Sequence, residues 1–331
     1  MKEILNYLYS HKTLSKDEAK TVLTNIASGK YNHSQIASFI SVYIMRNITV
    51  EELTGFRDAL LSLCIPIDLD GIETIDLCGT GGDGKNTFNI STLASFVVAG
   101  TGAKVTKHGN YGVSSGCGSS NIMETLGYKF SNASDKLRKE LEVTGICYLH
   151  APIFNPAMKN VAPVRKDLGV KTFFNMLGPM VNPTFPKNQM VGVYNLELAR
   201  LYAYLYQQTD KKFIILHSLD GYDEISLTSD FKLISREYEV IMKPETLSFI
   251  KTKPEDLASG ASVPESTELF LKILEGKGTK AQIDVVVANA AIALRCMKPA
   301  RSFEDCSAEA KESLISGKAL KTLKKLIEIQ N

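Results

Sequence analysis

The chain of 331 residues contains no tryptophan and no apolar run of about 18 residues, the length a membrane-spanning helix needs. Its six cysteines form no C-x-x-C pair, so neither a zinc site nor a disulfide framework is indicated, and reduced thiols are the simpler interpretation. The net charge of +2 argues against a broadly basic nucleic-acid-binding surface. The opening segment MKEILNYLYSHK is too short and too polar for a signal peptide. These absences predict a cytoplasmic protein that binds neither membranes nor nucleic acid.

The composition is that of a globular protein, and the length suits two domains. Residues 1–65 are predicted to be helical, because Ser15 with Glu18 and Thr49 with Glu52 have the spacing of capping boxes. Pro66 and the segment Asp-Leu-Asp-Gly at 68–71 interrupt this pattern. We therefore predict a helical domain over residues 1–68 and a second domain over residues 69–331.

After residue 73, short apolar runs alternate with helical patterns, which predicts an α/β domain with a mainly parallel central sheet covered by helices. The predicted strands are Thr74–Cys78, Lys104–Thr106, Ile146–Leu149, Met190–Tyr194 and Phe213–His217. The predicted helices span residues 91–100, 120–127, 134–144, 156–168, 196–208, 281–297 and 307–329. Residues 225–242 alternate polar and apolar side chains, which favours antiparallel or edge strands.

The segment DLCGTGGDGKNTFNIST at residues 76–92 predicts a strand, a tight turn and a helix start. Glycine lets the backbone approach a ligand closely, and the free N–H groups of such a turn and helix start bind anions. The spacing of Gly79, Gly84 and Lys85 nearly matches a nucleotide-binding P-loop, but Asn86 stands where that loop needs Ser or Thr. A phosphate-binding turn is favoured over an NTPase, and a turn used only for packing remains the alternative.

A second segment, KHGNYGVSSGCGSSN at residues 107–121, is too rich in glycine and serine for an ordinary helix start. Lys107 supplies a fixed cation, and Asn110, Ser114, Ser115 and Ser119 supply hydrogen-bond donors. Two anion-binding segments so close in sequence predict a ligand with two phosphate groups.

Two other candidates depend more on context. Asp223 and Glu224 follow a predicted strand and suit Mg²⁺, although adjacent acids in a loop are often only surface charge. Arg165 carries the planar fork that grips a carboxylate, although a helix arginine is usually a surface residue. No nucleophile-plus-base arrangement is identifiable from the sequence, so covalent catalysis is not predicted.

The chain resembles the anthranilate phosphoribosyltransferase family of tryptophan biosynthesis over nearly its whole length. The similarity is carried in family order by GTGGDG with T-x-N-I-S-T, KHGN with a double serine, the block P-A-M-K to N-P, and D-G-x-D-E. This resemblance implies a transferase acting on phosphoribosyl diphosphate and anthranilate with Mg²⁺. It also implies a homodimer formed through the helical domains, with residues 163–185 returning to that domain as a hinge.

The resemblance further implies a set of site residues. Phosphoribosyl diphosphate would contact Gly79, Gly82, Asp83, Thr87, Asn89, Ile90, Ser91, Thr92, Lys107, His108, Gly109, Asn110, Tyr111, Gly112, Val113, Ser114, Ser115 and Ser119. Magnesium would be held by Ser91, Asp223 and Glu224, and anthranilate would meet Gly79, Asn110 and Arg165. Lys107 and Asn110 would be the catalytic residues.

The chain departs from the family pattern at two places. Asn155 stands where the family often has histidine, which bears on the contacts to the aromatic substrate. The family's usual G-S-A-D is Gly-Ser-Ser-Asn at residues 118–121, a change expected to leave the phosphate cradle untouched. The rival interpretations are a pyrimidine nucleoside phosphorylase, which needs only one anion site, and a non-catalytic relative that binds nucleic acid.

Overall fold

The structure, a computed structural model, describes residues 1–112 and 116–330. The helices, in chain order, are α1 Lys2–Tyr9, α2 Lys16–Ala27, α3 His33–Met45, α4 Val50–Leu63, α5 Ile90–Gly100, α6 Ser119–Thr125, α7 Ser134–Thr144, α8 Ala151–Phe154, α9 Ala162–Leu168, α10 Phe174–Leu177, α11 Leu196–Gln207, α12 Val263–Leu274, α13 Lys280–Met297, α14 Phe303–Ile315 and α15 Lys318–Glu328. The strands are β1 Ile75–Gly79, β2 Val105–Gly109, β3 Ile146–His150, β4 Asn188–Gly192, β5 Lys212–Ser218, β6 Phe231–Ile234 and β7 Glu239–Met242.

The chain forms two compact units. The first contains Met1–Pro66 and Ala151–Phe185, and the second contains Ile67–His150 and Pro186–Asn331. The segment that returns to the first unit begins at Ala151, earlier than the predicted position near residue 163. No helix of the described residues is both long and apolar enough to cross a bilayer.

Helix caps and an aromatic cluster organise the first unit. Both predicted capping boxes are present, and Asn32 with Gln35 forms a further one at the start of α3. The cluster joins α3 and α4 to the returning segment, since Phe56 stacks on Phe173 with ring centroids 4.6 Å apart. Glu52 is buried, but Arg46 satisfies it with hydrogen bonds of 2.6 and 2.9 Å. The returning segment is therefore part of this unit's core.

A seven-stranded sheet of order β3-β2-β1-β4-β5-β6-β7 forms the second unit. The first five strands in this order are parallel, and β6 and β7 are antiparallel at one edge. The predicted mainly parallel sheet and the antiparallel character of residues 225–242 are thus confirmed. From β1 the chain adds β2 and β3 on one side of the sheet, and it then returns to add β4 and β5 on the other side. The point at which the strand order reverses, the topological switch point, therefore lies between β1 and β4.

Several predicted boundaries are wrong. The single helix predicted over residues 307–329 is two helices, because Gly317 adopts φ +80° between α14 and α15. The helix predicted over 156–168 is a 3-10 turn, Pro156–Asn160, followed by α9, whose first turn contains Pro163. Proline has no N–H to donate, so it suits a first turn and ends a helix that precedes it. Helix α12 was not predicted.

Candidate active site

The switch point of the sheet is built on two glycines. Parallel strands β1 and β4 end side by side at Gly79 and Gly192, and the N–H of Thr80 donates to the carbonyl of Gly192 over 2.9 Å. The loop that carries Asp223 packs directly on this edge. A Cβ at Gly192 would lie 1.5 Å from the Asp223 carbonyl oxygen, and one at Gly79 would lie 2.3 Å from Asp223 Oδ2. The two strands therefore end in glycine because any side chain would displace the acidic loop.

Asp223 and Glu224 reach the predicted phosphate-binding turn from this loop. Gly81, with φ +65°, donates its N–H to Asp223 Oδ2 over 2.6 Å, and Ser91 donates its N–H to Glu224 Oε1 over 2.8 Å. Ser91 lies in the first turn of α5, which begins at Ile90 after Asn89. The structure thus places Ser91, Asp223 and Glu224, the three predicted metal-binding residues, together at one end of the sheet.

Asp223 is buried and Glu224 is partly buried, and this loss of solvent sets the protonation of the pair. Burial and the negative charge of Asp83 raise the pKa of Asp223 to about 7. Burial and the charge of Asp223 raise the pKa of Glu224 well above its ordinary value, while the positive charge of Lys107 opposes this rise. Two neighbouring carboxylates with so little solvent around them are stabilised by a bound cation.

Oxygen donors of this type fit Mg²⁺, which commonly takes one or two carboxylates and completes its shell with water and phosphate oxygens. Within residues 1–112 and 116–330, no group of three or more His, Cys, Asp and Glu side chains is arranged to hold a metal. A cation at this acidic pair would therefore need oxygen ligands from outside the set of acidic side chains. A substrate with phosphate groups supplies such oxygens.

The free protein is expected to lose stability as the pH rises from about 4 through about 7. In the unfolded chain the two carboxyls ionise at about pH 4. In the folded protein the raised pKa keeps Asp223 protonated to about pH 7, and the raised pKa of Glu224 likewise delays its ionisation. Over this window the folded state binds more protons, so the free energy of unfolding falls. Melting temperatures from pH 5 to 8 in chelator measure this. The Asp223→Asn, Glu224→Gln double variant should show a shallower fall, and equal slopes would contradict the prediction.

Lys107 is a buried ammonium. The side chain is 3% exposed, and its Nζ donates to the carbonyl of His108 over 3.3 Å. Strand β2 is tied to β1 here, because the His108 N–H donates to Asp76 Oδ1 over 3.2 Å. Among the described residues, no Asp or Glu forms a salt bridge with Lys107. A buried charge without an opposite partner is costly, so this ammonium favours an incoming anion.

The second glycine-rich segment is closed at its base. Asn121 Oδ1 accepts the N–H groups of Gly112 and Gly118, over 3.1 and 2.9 Å. The N–H of Ser120 donates to the Asn110 carbonyl over 3.1 Å. The bond from Ser120 uses its main chain, which any residue supplies, and the Asn121 oxygen is an acceptor that an aspartate would also have. The expectation that the departures at 120 and 121 leave the phosphate cradle untouched stays a prediction. The predicted contacts Val113, Ser114 and Ser115 lie outside the described residues.

Other predicted residues take their places around these groups. Asn89 links the two segments, because its Nδ2 donates to the Cys117 carbonyl over 3.2 Å. Ser119 begins α6, and its hydroxyl accepts from Tyr148 over 2.8 Å. Lys85 does not act as a P-loop lysine would; its Nζ lies 4.6 Å from the centre of the Tyr222 ring. The remaining predicted contacts lie on the same two segments: Gly82, Asp83, Thr87, Ile90, Thr92, Gly109 and Tyr111.

Arg165 belongs to the first unit, on α9. Its guanidinium lies 5.3 Å from the centre of the Phe174 ring, and burial lowers its pKa. Within the described chain, Arg165 forms no salt bridge with an Asp or Glu side chain. Asn155, in the same unit, is buried, and its Oδ1 accepts no hydrogen bond from the described residues.

Sequence reasoning missed residues that support the backbone of the site's loops. Gly192 was taken as the interior of a strand running to Tyr194, although a glycine in an apolar run is a recognised signal of close backbone approach. Asn121 was noted only as a departure. Asn289 on α13 was not singled out, because a polar residue in a helix gives no signal of what it bonds.

Comparisons with known proteins match this architecture. The model of the glycosyl transferase family, a/b domain, matches residues 71–320, and that of the family's helical bundle domain matches residues 2–64. The chain therefore belongs to this glycosyl transferase family.

Among its relatives is the anthranilate phosphoribosyltransferase of Flavobacterium psychrophilum, 63% identical over 332 residues and 99% of each chain. The anthranilate phosphoribosyltransferase of Saccharomyces cerevisiae in complex with PRPP and Mg has a TM-score of 0.91 at 27% identity, covering 98% of this chain and 96% of that chain. The same yeast enzyme in complex with 4-fluoroanthranilate has a TM-score of 0.88 at 26% identity, covering 98% and 95%.

Proposed function

We infer that this protein transfers the phosphoribosyl group of 5-phosphoribosyl 1-diphosphate to the amine of anthranilate, giving N-(5-phosphoribosyl)anthranilate and diphosphate in tryptophan biosynthesis. Its 63% identity to an anthranilate phosphoribosyltransferase over 99% of the chain carries this conclusion. The site geometry is in keeping with it, because the glycine turn bonds the acidic pair at the switch point and the buried Lys107 lies on β2, the strand next to β1. Such a set suits a donor that carries two anionic ends and a metal.

The reaction is a single displacement at the anomeric carbon. The amine nitrogen forms the new C–N bond and gives up a proton, while the bond from carbon to the diphosphate oxygen breaks and its electron pair leaves with diphosphate. We propose that Lys107 stabilises the charge that develops on this leaving group, and that Asn110 and Gly79 help to place the acceptor. The anthranilate amine is a neutral nucleophile, so its position matters more than its deprotonation.

Ser91, Asp223 and Glu224 would hold Mg²⁺, which when bound shields the negative charge of the diphosphate. The protein's own share is to keep both carboxylates fixed against Gly81 and Ser91 before the donor arrives. This arrangement favours the transferase over a nucleoside phosphorylase, whose free phosphate requires only one anion site. Transfer can be assayed directly with the two substrates, because the fluorescence of anthranilate falls as anthranilate is converted.

The decisive experiment mixes the protein with the donor, anthranilate and Mg²⁺ and follows that fluorescence. Loss of signal that stops on chelation is expected. Phosphorolysis of thymidine or uridine in place of transfer would instead establish the phosphorylase. Retardation of nucleic acid in a gel at physiological salt, without transfer, would establish a binding protein.

Arg165→Ala is expected to raise KM for anthranilate by about 10- to 100-fold, which is the loss of one charge-assisted contact of about 1.5–3 kcal/mol. The proposed role is a fork-like grip on the anthranilate carboxylate, and the guanidinium forms no salt bridge with a described Asp or Glu that would compete. KM for the ribosyl donor should stay within about twofold. The exposed neighbour Lys166, changed to alanine, is the control. Equal changes in both KM values for Arg165→Ala would refute the carboxylate role.

We also propose that the protein forms a homodimer through its helical unit. That unit exposes apolar side chains, with Met45 86%, Tyr9 56% and Ile44 45% exposed. Exposed apolar groups of this kind favour burial against a partner. Light scattering should return twice the mass of one chain, and Met45→Glu should shift it toward one. Ile250→Glu, which changes an exposed apolar residue of the other unit, is the control, and a monomeric wild type would rule the dimer out.

The returning segment is proposed as a hinge over residues 163–185. It is part of the stretch Ala151–Phe185, which belongs to the first unit although strands β3 and β4 of the second unit precede and follow it. The chain therefore passes from one unit to the other before Ala151 and again directly after Phe185. Closure would exclude water, which competes with the amine as a nucleophile. Hydrogen exchange in this segment should change when both substrates bind; identical exchange with and without them would argue against a hinge.

A further inference from the structure

One buried amide on α13 holds the acidic loop through its backbone. Asn289 lies within α13, is 1% exposed, and brackets the peptide groups of Ile225. Its Oδ1 accepts the Ile225 N–H over 3.1 Å, and its Nδ2 donates to the Ile225 carbonyl over 2.9 Å. The second Nδ2 proton goes to the Val285 carbonyl over 2.8 Å, one turn back in the helix. Ile225 directly follows Glu224, so the bracket acts on the acidic pair's own backbone.

The surroundings of Asn289 make this bracket specific. The buried neighbours along α13 are almost all apolar, among them Val286, Val287, Ile292 and Leu294. A buried amide without partners costs about 1–3 kcal/mol, so an asparagine in this apolar face is favourable only while it finds hydrogen bonds. It finds two of its three with Ile225. The hydrogen bonds of the Asn289 amide are therefore complete only when the loop holds its present position, and a displaced loop would leave the amide without two of its partners.

A second contact holds the same stretch of backbone. The Ser218 hydroxyl, at the end of β5, donates to the Glu224 carbonyl over 2.7 Å and accepts the Ser226 N–H over 3.2 Å. Residues 224–226 are thus tied to β5 through Ser218 and to α13 through Asn289. The neighbouring carboxyl groups of Asp223 and Glu224 repel one another when both are ionised, and a loop without these ties would relieve the repulsion by moving apart.

We propose that Asn289 is a positioning residue for the Asp223–Glu224 pair, setting where both carboxylates stand for the metal-bound ribosyl donor without touching either ligand. This inference rests on the proposed function, because it takes the pair as the place where the donor and its metal bind. It adds a residue on α13, 64 positions from the loop it holds, to the set on which donor binding depends.

The test compares two variants of Asn289 with a control on the same helix. Asn289→Leu removes all three hydrogen bonds and keeps an apolar side chain of similar size. Asn289→Ser gives a hydroxyl that bonds the Val285 carbonyl one turn back, so it stays satisfied while the bracket on Ile225 is lost. Val287→Ala, a buried residue without polar side-chain atoms, reports the effect of weakened packing alone.

Three measurements separate positioning from stability. Both Asn289 variants should exchange the amides of residues 222–228 faster than wild type, and calorimetry should show binding of magnesium and phosphoribosyl diphosphate weakened about tenfold or more. KM for anthranilate at saturating donor should stay within about twofold. Val287→Ala should lower Tm and leave both exchange in that segment and donor affinity near wild type.

Wild-type donor affinity and unchanged exchange in Asn289→Ser would overturn the proposal, and so would an equal loss of donor affinity in Val287→Ala. If Asn289→Leu fails to fold, donor affinity and hydrogen exchange of Asn289→Ser test the proposal by themselves. A wild-type protein that binds no donor would instead overturn the proposed function, and the exchange comparison would still show whether Asn289 holds the loop.

Discussion

Replacing Lys107 by alanine is expected to lower kcat by about 10²- to 10³-fold, the cost of removing one preorganised group that stabilises developing charge. Lys107 is buried in the middle of β2, and its side chain makes a single hydrogen bond within the described residues, to the neighbouring carbonyl of His108. Because the charge grows as the bond breaks, the loss should fall on kcat more than on KM for anthranilate.

Lys104→Ala provides the matched control for this prediction. Lys104 precedes the same strand, and its Nζ bonds only the carbonyls of Leu141 and Glu142, away from the glycine turns. Its kcat should remain within about twofold of wild type. Steady-state kinetics with saturating donor decides the matter, and a Lys107→Ala protein with wild-type kcat would exclude the lysine from the leaving-group site.

Replacing Gly192 by alanine is expected to abolish measurable transfer and to lower the free energy of unfolding by about 3 kcal/mol. The added Cβ would lie 1.5 Å from the Asp223 carbonyl oxygen, a distance that no real contact shows, so the loop must move. Asp223 and Glu224 would then leave Gly81 and Ser91. Calorimetry of donor binding with Mg²⁺, together with thermal denaturation, measures both effects.

Gly55→Ala is the control that distinguishes a general loss of stability by steric strain from a specific displacement of the acidic loop. A Cβ there would lie 2.3 Å from the Lys16 carbonyl oxygen, between α2 and α4 of the first unit. This variant should lose stability comparably, while its folded fraction keeps donor affinity near wild type. Gly192→Ala with unaltered donor affinity would show that the acidic loop tolerates displacement.

Much of the local structure was predictable because it depends on neighbours in sequence. The capping boxes at Ser15 and Thr49 are present, since each needs only a partner three residues away. The parallel strands were found from short apolar runs, but their ends were misplaced. Strand β4 stops at Gly192 because of a loop that lies far along the chain, and no local pattern reports that.

The candidate site divides in the same way. The glycines of residues 79–84 and the donors of α5 predict an anion-binding turn by themselves, because their conformational freedom and free N–H groups are properties of the segment. The sequence shows that Asp223 and Glu224 are adjacent acids. Whether they belong to a site depends on their tertiary contacts, which the sequence does not show. The two bonds of Asn121 were not foreseen for the same reason, since they form only when the segment folds back.

The sequence alone determined which groups are available: a turn rich in glycine, a lysine after a strand, two adjacent carboxylic acids and an arginine. The tertiary structure decided which of these meet. Strand order places β1 beside β4, so Gly81 comes to bond Asp223 across 142 residues of chain, and burial there raises the pKa of that carboxyl. Burial and long-range pairing are properties of the whole packed unit, whereas caps, turns and helix starts are properties of a few consecutive residues.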